Sequence, residues 1–157
     1  MDDSSDGEFR LSGRLAPDRC TVLEQAGKQE TLNVLIDLLA PFAGPGGKAG
    51  LADAIRAREK LQSTGIGLGI AIPHVRLPAA ADLTAAAALV RGGIPDYASM
   101  DSVPVRLVVM IVARVDQHEL YLRMLSRLSS SLKDDSFREK VFHCGCPREL
   151  YELLRGC

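Results

Sequence analysis

The sequence predicts an α/β (α+β) fold, in which helices cover a β-sheet within a single domain. Two kinds of segment lead to this prediction. Some segments repeat apolar residues at the 3.6-residue spacing of a helix, and others are short apolar runs rich in β-branched residues. The two kinds alternate along a chain of 157 residues, which is long enough for one domain with a substantial core.

Helical spacing is clearest in the first third of the chain. Between Lys28 and Ala40, apolar residues recur at i, i+3, i+4 and i+7, and Pro41 ends the segment. A second helix is predicted over Lys48–Lys60, where Leu51 and Ile55 mark its apolar face.

Helix start signals predict three further helices in the last third. The third helix should begin at about residue 117, with Asp116 as the N-cap of a capping box. Asp134 and Asp135 can cap a fourth helix, and Pro147 is a favoured first-turn residue for the last one.

Three segments are predicted to form strands. Residues 63–74 are rich in glycine and run into a short apolar strand that should stop at Pro73, leaving His74 in the loop that follows. Residues 83–90 and 105–113 are the other two strands, and the continuous apolar character of the last indicates burial on both faces.

Composition excludes several classes of protein. The net charge is −1, so the chain lacks the basic character of a nucleic-acid binder. No apolar run has the length of a transmembrane helix, and the acidic N-terminus does not resemble a signal peptide, so we expect a cytoplasmic protein without membrane insertion. Residues 1–14 should form a disordered tail. We expect the cysteines to be reduced thiols; they are Cys20, Cys144, Cys146 and Cys157.

Three residue positions suggest a phosphate-handling site. His74 follows a strand end, His118 opens a helix whose free amides favour an anion, and Arg58 falls on the apolar face of the second helix. An arginine there is costly unless it pairs with an anion, and its guanidinium suits a phosphate. Each residue also has a purely structural interpretation. His74 could be a half-buried loop histidine, His118 a histidine at the edge of the core, and Arg58 an arginine that reaches the surface.

Glycines before His74 would let a phosphate or a partner approach the backbone closely. We therefore expect a phosphate pocket around this segment, formed by Ser63, Thr64, Gly65, Gly67 and Gly69. The only hint of metal ligands is His143-Cys144-Gly145-Cys146, which is too crowded for a typical zinc site, so neither a metal nor another cofactor is predicted.

The run from Arg58 through Ser63-Thr64-Gly65-Ile66-Gly67-Leu68-Gly69-Ile70-Ala71-Ile72-Pro73-His74 resembles the active-site signature of type-2 EIIA domains. These belong to the bacterial phosphoenolpyruvate-dependent phosphotransferase system and include fructose, mannitol and nitrogen-regulatory proteins. The resemblance covers roughly residues 15–155 and includes the start of the third helix, so we expect a type-2 EIIA domain over residues 15–157. It implies a mixed β-sheet flanked by helices on both faces.

The resemblance implies a role for each candidate residue. In the family, the histidine after Ile-Pro accepts the phosphoryl group, which here is His74. A histidine that opens a later helix assists, which matches His118, and an arginine supports the phosphoryl group, which matches Arg58. The implied phosphodonor is HPr or its nitrogen-branch equivalent NPr. One departure from the family pattern is Asp101-Ser102, where Asp-Gly is common.

A docking face for a partner protein is expected beside His74, since exposed apolar side chains near a site commonly mark protein contacts. The alternative is that these side chains complete the core beneath the loop. The candidates are Ile66, Leu68, Val75 and Leu77.

Three functions remain open at this stage. The leading hypothesis is a regulatory EIIA of the nitrogen type, because no EIIB or EIIC segment is fused to it. The first alternative is a sugar-transport EIIA that passes phosphate to a fructose or mannitol EIIB. The second is a binding module that no longer accepts phosphate.

Overall fold

The computed structural model describes residues 10–157, and a six-stranded mixed sheet forms its centre. Two long neighbouring strands carry most of the sheet, and short strands extend it on either side. The strands are β1 (Cys20–Leu23), β2 (Gly65–Gly67), β3 (Ile70–Ala71), β4 (His74–Leu77), β5 (Thr84–Ile94) and β6 (Val105–Arg114).

Strand β6 is the axis around which the sheet is arranged. On one side it pairs antiparallel with β5, which pairs parallel with β1. On its other side, β3 lies parallel to the first half of β6 and β4 lies parallel to the second half. Strand β2 pairs antiparallel with β3. The site histidine therefore lies on β4, a short edge strand.

Helices cover both faces of this sheet, as the sequence predicts. The side chains of α1 and α2 share a core with one set of alternate β5 and β6 residues, and those of α3, α4 and α5 share a core with the other set. The helices are α1 (Lys28–Leu39), α2 (Gly47–Leu61), α3 (His118–Lys133), α4 (Asp135–Phe142) and α5 (Pro147–Leu154).

The three predicted helix starts are confirmed, including that of α3 at His118, but one predicted cap is wrong. The Asp134 side chain caps α4 by accepting a hydrogen bond from the Phe137 amide at 2.8 Å, and Pro147 is the first residue of α5. Asp116 does not cap α3. A 3₁₀ turn precedes that helix, and Asp116 accepts a hydrogen bond from Arg114 Nε at 2.9 Å.

The strand prediction around the site needs correction. The short apolar strand predicted before Pro73 is present as β3, but the glycine-rich stretch forms a further strand, β2. Leu68 and Gly69 take positive φ values of 60° and 80° and reverse the chain between β2 and β3. Pro73 does not end the pairing. Its carbonyl accepts a hydrogen bond from the Ile111 amide at 3.0 Å, and His74 begins a new strand. Strand β1 was not predicted.

The predicted tail is too long at its C-terminal end. Leu11–Gly13 form a 3₁₀ turn, and the Leu11 side chain is fully buried in the core beneath α3 and α5. Its amide donates a hydrogen bond to the Cys157 carbonyl at 3.0 Å, so the two ends of the described chain meet. The predicted disorder of residues 1–9 lies outside the described residues.

All four cysteines are free thiols, and their environments differ. Burial is the largest influence on the pKa of Cys20, raising it to about 12, and burial also raises the pKa values of Cys144 and Cys157. Cys146 is exposed. In the described part of the chain, residues 10–157, we find no helix long and apolar enough to cross a membrane.

Candidate phosphoryl-accepting site

A cleft of about 610 Å³ opens along the edge strand β4 and contains His74. The cleft has one wall from each helical layer: Arg58 lies on α2, on one side of the sheet, and Tyr121 lies on α3, on the other side. The fold thus brings residues far apart in sequence to one sheet edge.

The His74 imidazole is oriented by the backbone. Its Nδ1 atom lies 2.6 Å from the Ile72 carbonyl oxygen. Because a carbonyl can only accept a hydrogen bond, Nδ1 carries the proton and Nε2 keeps its lone pair. The ring has one nitrogen available as a nucleophile.

The surroundings of His74 favour the neutral ring. Partial burial is the largest influence and lowers its pKa below the ordinary value, and the nearby Arg58 charge acts in the same direction. The hydrogen bond to Ile72 and the negative charge of Glu59 oppose this shift without reversing it.

Arg58 is half-buried and faces the cleft from the last turn of α2. Its Nη1 atom donates a hydrogen bond to the Gln62 carbonyl at 2.8 Å, which satisfies one of the free carbonyls at the helix end. Within residues 10–157, no carboxylate forms a salt bridge with Arg58. Its guanidinium therefore remains available to an anion.

Tyr121 connects the two candidate histidines. Its ring centroid lies 5.2 Å from that of His74 and 6.4 Å from that of His118. His118 does not lean into the core as the sequence suggested: it is exposed at the first position of α3. Both imidazoles therefore lie beside the ring of one buried tyrosine.

The five residues of the predicted phosphate pocket do not line this cleft. Their backbone and side chains meet other parts of the protein. A Cβ atom on Gly65 would lie 2.3 Å from the Ala98 carbonyl oxygen, and one on Gly69 would lie 3.1 Å from the Phe142 ring. Gly67 lies against Asp101, with φ 93°. These glycines allow close packing of the β2–β3 turn.

Ser63 and Thr64 are likewise committed to the loop that precedes β6. The Ser63 hydroxyl donates to the Ala98 carbonyl at 2.6 Å. The buried Thr64 hydroxyl hydrogen-bonds with Glu59 and with Tyr97. Neither residue is left to bind phosphate in the cleft.

Glu59 is an acidic residue of the site region that the sequence reasoning missed. Only 8% of its side chain is exposed, and Lys28 Nζ lies 2.9 Å from its Oε2 atom. The Tyr97 hydroxyl donates to Oε1 at 3.2 Å, and Lys28 also lies over the Tyr97 ring. This network ties the end of α2 to α1 and therefore fixes the turn that carries Arg58. A glutamate next to an arginine gives no sequence signal of burial.

The predicted docking residues separate into two groups. Val75 and Leu77 are half-buried and pack against the core beneath α1 and α2, and Val75 also lines the cleft. Ile66 and Leu68 are each 40% exposed but do not line the cleft. The exposed apolar side chains that do line it are Leu61, 84% exposed, and Val115, 50% exposed.

The crowded His143–Cys146 segment offers no shared metal geometry. His143 Nδ1 lies 2.8 Å from the Glu139 carbonyl, and Cys144 is buried. Across residues 10–157, no three histidine, cysteine or acidic side chains are grouped to hold a metal ion.

Fold and cleft define the class of protein: a phosphotransferase component that carries phosphate on a histidine. The family model described as "Phosphoenolpyruvate-dependent sugar phosphotransferase system, EIIA 2" matches residues 15–157. The chain therefore belongs to the type-2 EIIA family.

Relatives with two different roles resemble this chain to a similar degree. It is 33% identical to a fructose-specific EIIA component of Haloferax volcanii, over 82% of this chain and 83% of that protein. It is 32% identical to a nitrogen regulatory protein of Klebsiella oxytoca, over 81% of this chain and 78% of that one.

A solved structure of the nitrogen regulatory protein IIA-Ntr from Neisseria meningitidis has the same fold. It superposes with a TM-score of 0.83 at 27% identity, and the match covers 92% of this chain and 98% of that one.

Proposed function

We propose that this protein accepts a phosphoryl group on Nε2 of His74 from phosphorylated HPr or NPr in the cytoplasm and acts as a nitrogen-type regulatory EIIA. The observation that carries the proposal is the contact between His74 Nδ1 and the Ile72 carbonyl, which leaves a neutral ring with its lone pair on Nε2. Family membership supplies the reaction class.

The transfer needs few parts because the donor already carries an activated phosphoryl group. Nε2 of His74 forms the new N–P bond while the bond to the donor nitrogen breaks, and Nδ1 keeps its proton. Negative charge on the equatorial phosphoryl oxygens requires fixed cationic donors. Arg58 is placed to supply one from α2. No cofactor has a step in this scheme.

His118 is assigned a supporting role in the same transfer. Its ring shares Tyr121 with His74, and its exposure at the start of α3 lets it reach a phosphoryl group that bridges two proteins.

A nitrogen-type role is supported by the match of the whole fold to IIA-Ntr. The second candidate is a sugar-transport EIIA that passes its phosphoryl group to an EIIB, and the fructose-specific relative favours it. Both use the same histidine. They differ in whether phosphorylated protein gives its group to a fructose or mannitol EIIB, which a sugar-transport EIIA should do rapidly.

The central test is phosphorylation by a reconstituted relay. The protein is incubated with phosphoenolpyruvate, enzyme I and either HPr or NPr, and its intact mass is measured. We expect one acid-labile, base-stable phosphoryl group on the wild type and none on His74→Ala. The matched control is His143→Ala, which removes an exposed histidine outside the cleft and should leave uptake unchanged.

Two results would contradict the proposal. Uptake at the wild-type rate by His74→Ala would place the phosphoryl group elsewhere. No uptake by the wild type from either donor would favour the binding module that lost phosphorylation.

A further inference from the structure

Arg76 is a second arginine in the cleft that the sequence reasoning did not select. We propose that its guanidinium contacts the phosphoryl oxygens on His74 during transfer, so that the group is held by two arginines. The inference rests on the proposed function and adds a phosphate-binding residue to it.

Sheet register places Arg76 on the same side of β4 as His74. His74 lies beside Ile111 and Arg76 lies beside Ala113 on the neighbouring strand β6. Ile111 and Ala113 both belong to the core shared with α3, and Tyr121 is part of that core too. Since alternate residues of a strand share a face, the side chains of His74 and Arg76 both project toward α3.

Tyr121 holds the Arg76 side chain near the nucleophile. The guanidinium carbon of Arg76 lies 5.9 Å from the centroid of the Tyr121 ring, within range of a cation–π contact. The same ring lies 5.2 Å from the His74 imidazole. Arg76 is exposed and lines the cleft, so its planar guanidinium can turn toward an anion bound there.

Within residues 10–157, no carboxylate forms a salt bridge with the exposed Arg76 guanidinium. Six arginines form salt bridges with carboxylates, whereas Arg76 and Arg58, the two in the cleft, form none within residues 10–157. Two guanidiniums without a carboxylate partner, beside a neutral histidine, make an incomplete site. A dianionic group on Nε2 would supply the missing partner for both.

The two arginines reach the phosphoryl group from different layers of the fold. Arg58 comes from α2 and Arg76 from β4, so they approach from separate directions around His74. As the bond to the donor nitrogen breaks and the N–P bond to Nε2 forms, charge spreads over three equatorial oxygens, and two planar forks can bind more of them than one. The proton on Nδ1 stays with the Ile72 carbonyl throughout.

The experiment separates contact with phosphate from contact with a partner protein. Phosphoryl uptake by His74 is timed with two donors: phosphorylated HPr, and phosphoramidate, a small molecule that releases ammonia and presents no protein surface. Arg76→Gln removes the charge, Arg76→Lys keeps it without the fork, and Arg56→Gln is the matched control on the exposed face of α2.

Arg76→Gln should slow uptake from both donors by roughly tenfold or more, the effect of losing a charge-assisted hydrogen bond in the transition state. Arg76→Lys should fall between that variant and the wild type, and Arg56→Gln should stay within about twofold of the wild type, as expected for a charge outside the site. The ³¹P resonance of the phosphohistidine should shift in Arg76→Gln but not in Arg56→Gln. Circular dichroism should show all the variants folded.

Each other outcome counts against the inference. Slower uptake from HPr alone would make Arg76 a docking residue and overturn the phosphate contact. Wild-type rates for Arg76→Gln with both donors would also overturn it while the proposed function stands. If the wild type itself takes no phosphoryl group from either donor, the proposed function fails and the inference fails with it.

Discussion

At the scale of single residues, the neutral state of His74 follows from where its ring lies. Half-burial removes water that would solvate an imidazolium, and the Arg58 charge disfavours a second positive charge nearby. The Ile72 carbonyl fixes the tautomer. The backbone carbonyl and the Arg58 charge therefore favour the neutral Nδ1–H tautomer before a phosphodonor binds.

This arrangement predicts how uptake depends on pH. The pKa of His74 is lowered from 6.5, so the ring stays neutral, and the rate with phosphoramidate should stay nearly constant as the pH falls through 6.5. It should drop only at lower pH, where the imidazole gains a proton. Arg58→Gln removes a charge that lowers the pKa, so its acid limb should move to higher pH.

The measurement is a pH–rate profile for wild type and variant, with the His74 ring titrated by NMR in parallel. Arg56→Gln is again the control for charge alone. An acid limb that stays in place in Arg58→Gln would show that burial by itself sets the pKa.

The sequence predicts a cleft residue correctly where that residue lies within a recognisable local motif. His74 and Arg58 were found because they lie in or beside one continuous signature. Arg76 and Tyr121 were not, because their importance depends on which side of β4 meets α3. Sequence spacing cannot show that a strand edge and a helix from opposite ends of the domain form one cleft.

Ser102 has a backbone conformation that is unusual for a residue other than glycine. Its φ is 62°, in the left-handed region that glycine adopts most readily. This chain therefore places a strained residue in the exposed loop before β6.

At the scale of secondary-structure elements, the helices were more predictable than the short strands. Helices α1 and α2 lie within one residue at each end of the predicted segments, since their apolar spacing is long and regular. Strand β1 has four residues, and β3 has two. Such strands owe their existence to pairing with β5 and β6, which the local sequence does not encode.

The C-terminal end of α2 should contribute to docking of the phosphodonor. Leu61 is its last residue, is 84% exposed and lines the cleft. Leu61→Gln should slow uptake from phosphorylated HPr by about fivefold, the range seen when a moderate interface contact is lost. Uptake from phosphoramidate should not change.

Met100→Gln is the control, because Met100 is 80% exposed and does not line the cleft. Leu68→Asp tests whether the surface extends to the β2–β3 turn, as the sequence suggested. A loss of uptake from HPr in Met100→Gln equal to that in Leu61→Gln would argue that any exposed apolar residue matters, which contradicts a defined docking face at α2.

At the scale of the whole molecule, the predicted architecture is confirmed, but the predicted N-terminal limit of the folded domain is not. The alternation of apolar segments predicts helices that cover a sheet, and the family resemblance implies the mixed sheet with helices on both faces that the structure shows. The predicted N-terminal limit of the domain misses Leu11, because this residue lies in a polar stretch without periodic apolar residues. Leu11 is buried by residues distant in sequence, and a local sequence pattern does not show such packing.

Leu11 should therefore matter for global stability. Leu11→Ala removes a fully buried side chain from the core and should lower the free energy of unfolding by about 2–5 kcal/mol, the range for such truncations. Ser12→Ala, at an exposed neighbour, should stay within about 0.5 kcal/mol of the wild type. Urea unfolding followed by circular dichroism measures both, and equal stabilities for the two variants would show that residues 10–14 add nothing to the core.

The hydrogen bond from the Leu11 amide to the Cys157 carbonyl also brings residue 11 next to residue 157. In a chain shortened to residues 11–157, a short peptide could join the two ends without moving either one. Head-to-tail cyclisation would then leave the folded form unstrained while removing freedom from the unfolded chain, which is the entropic route by which covalent loops stabilise proteins. The same closeness would let the ring be cut open elsewhere, such as at the exposed Pro45–Gly46 turn, with the cleft still assembled.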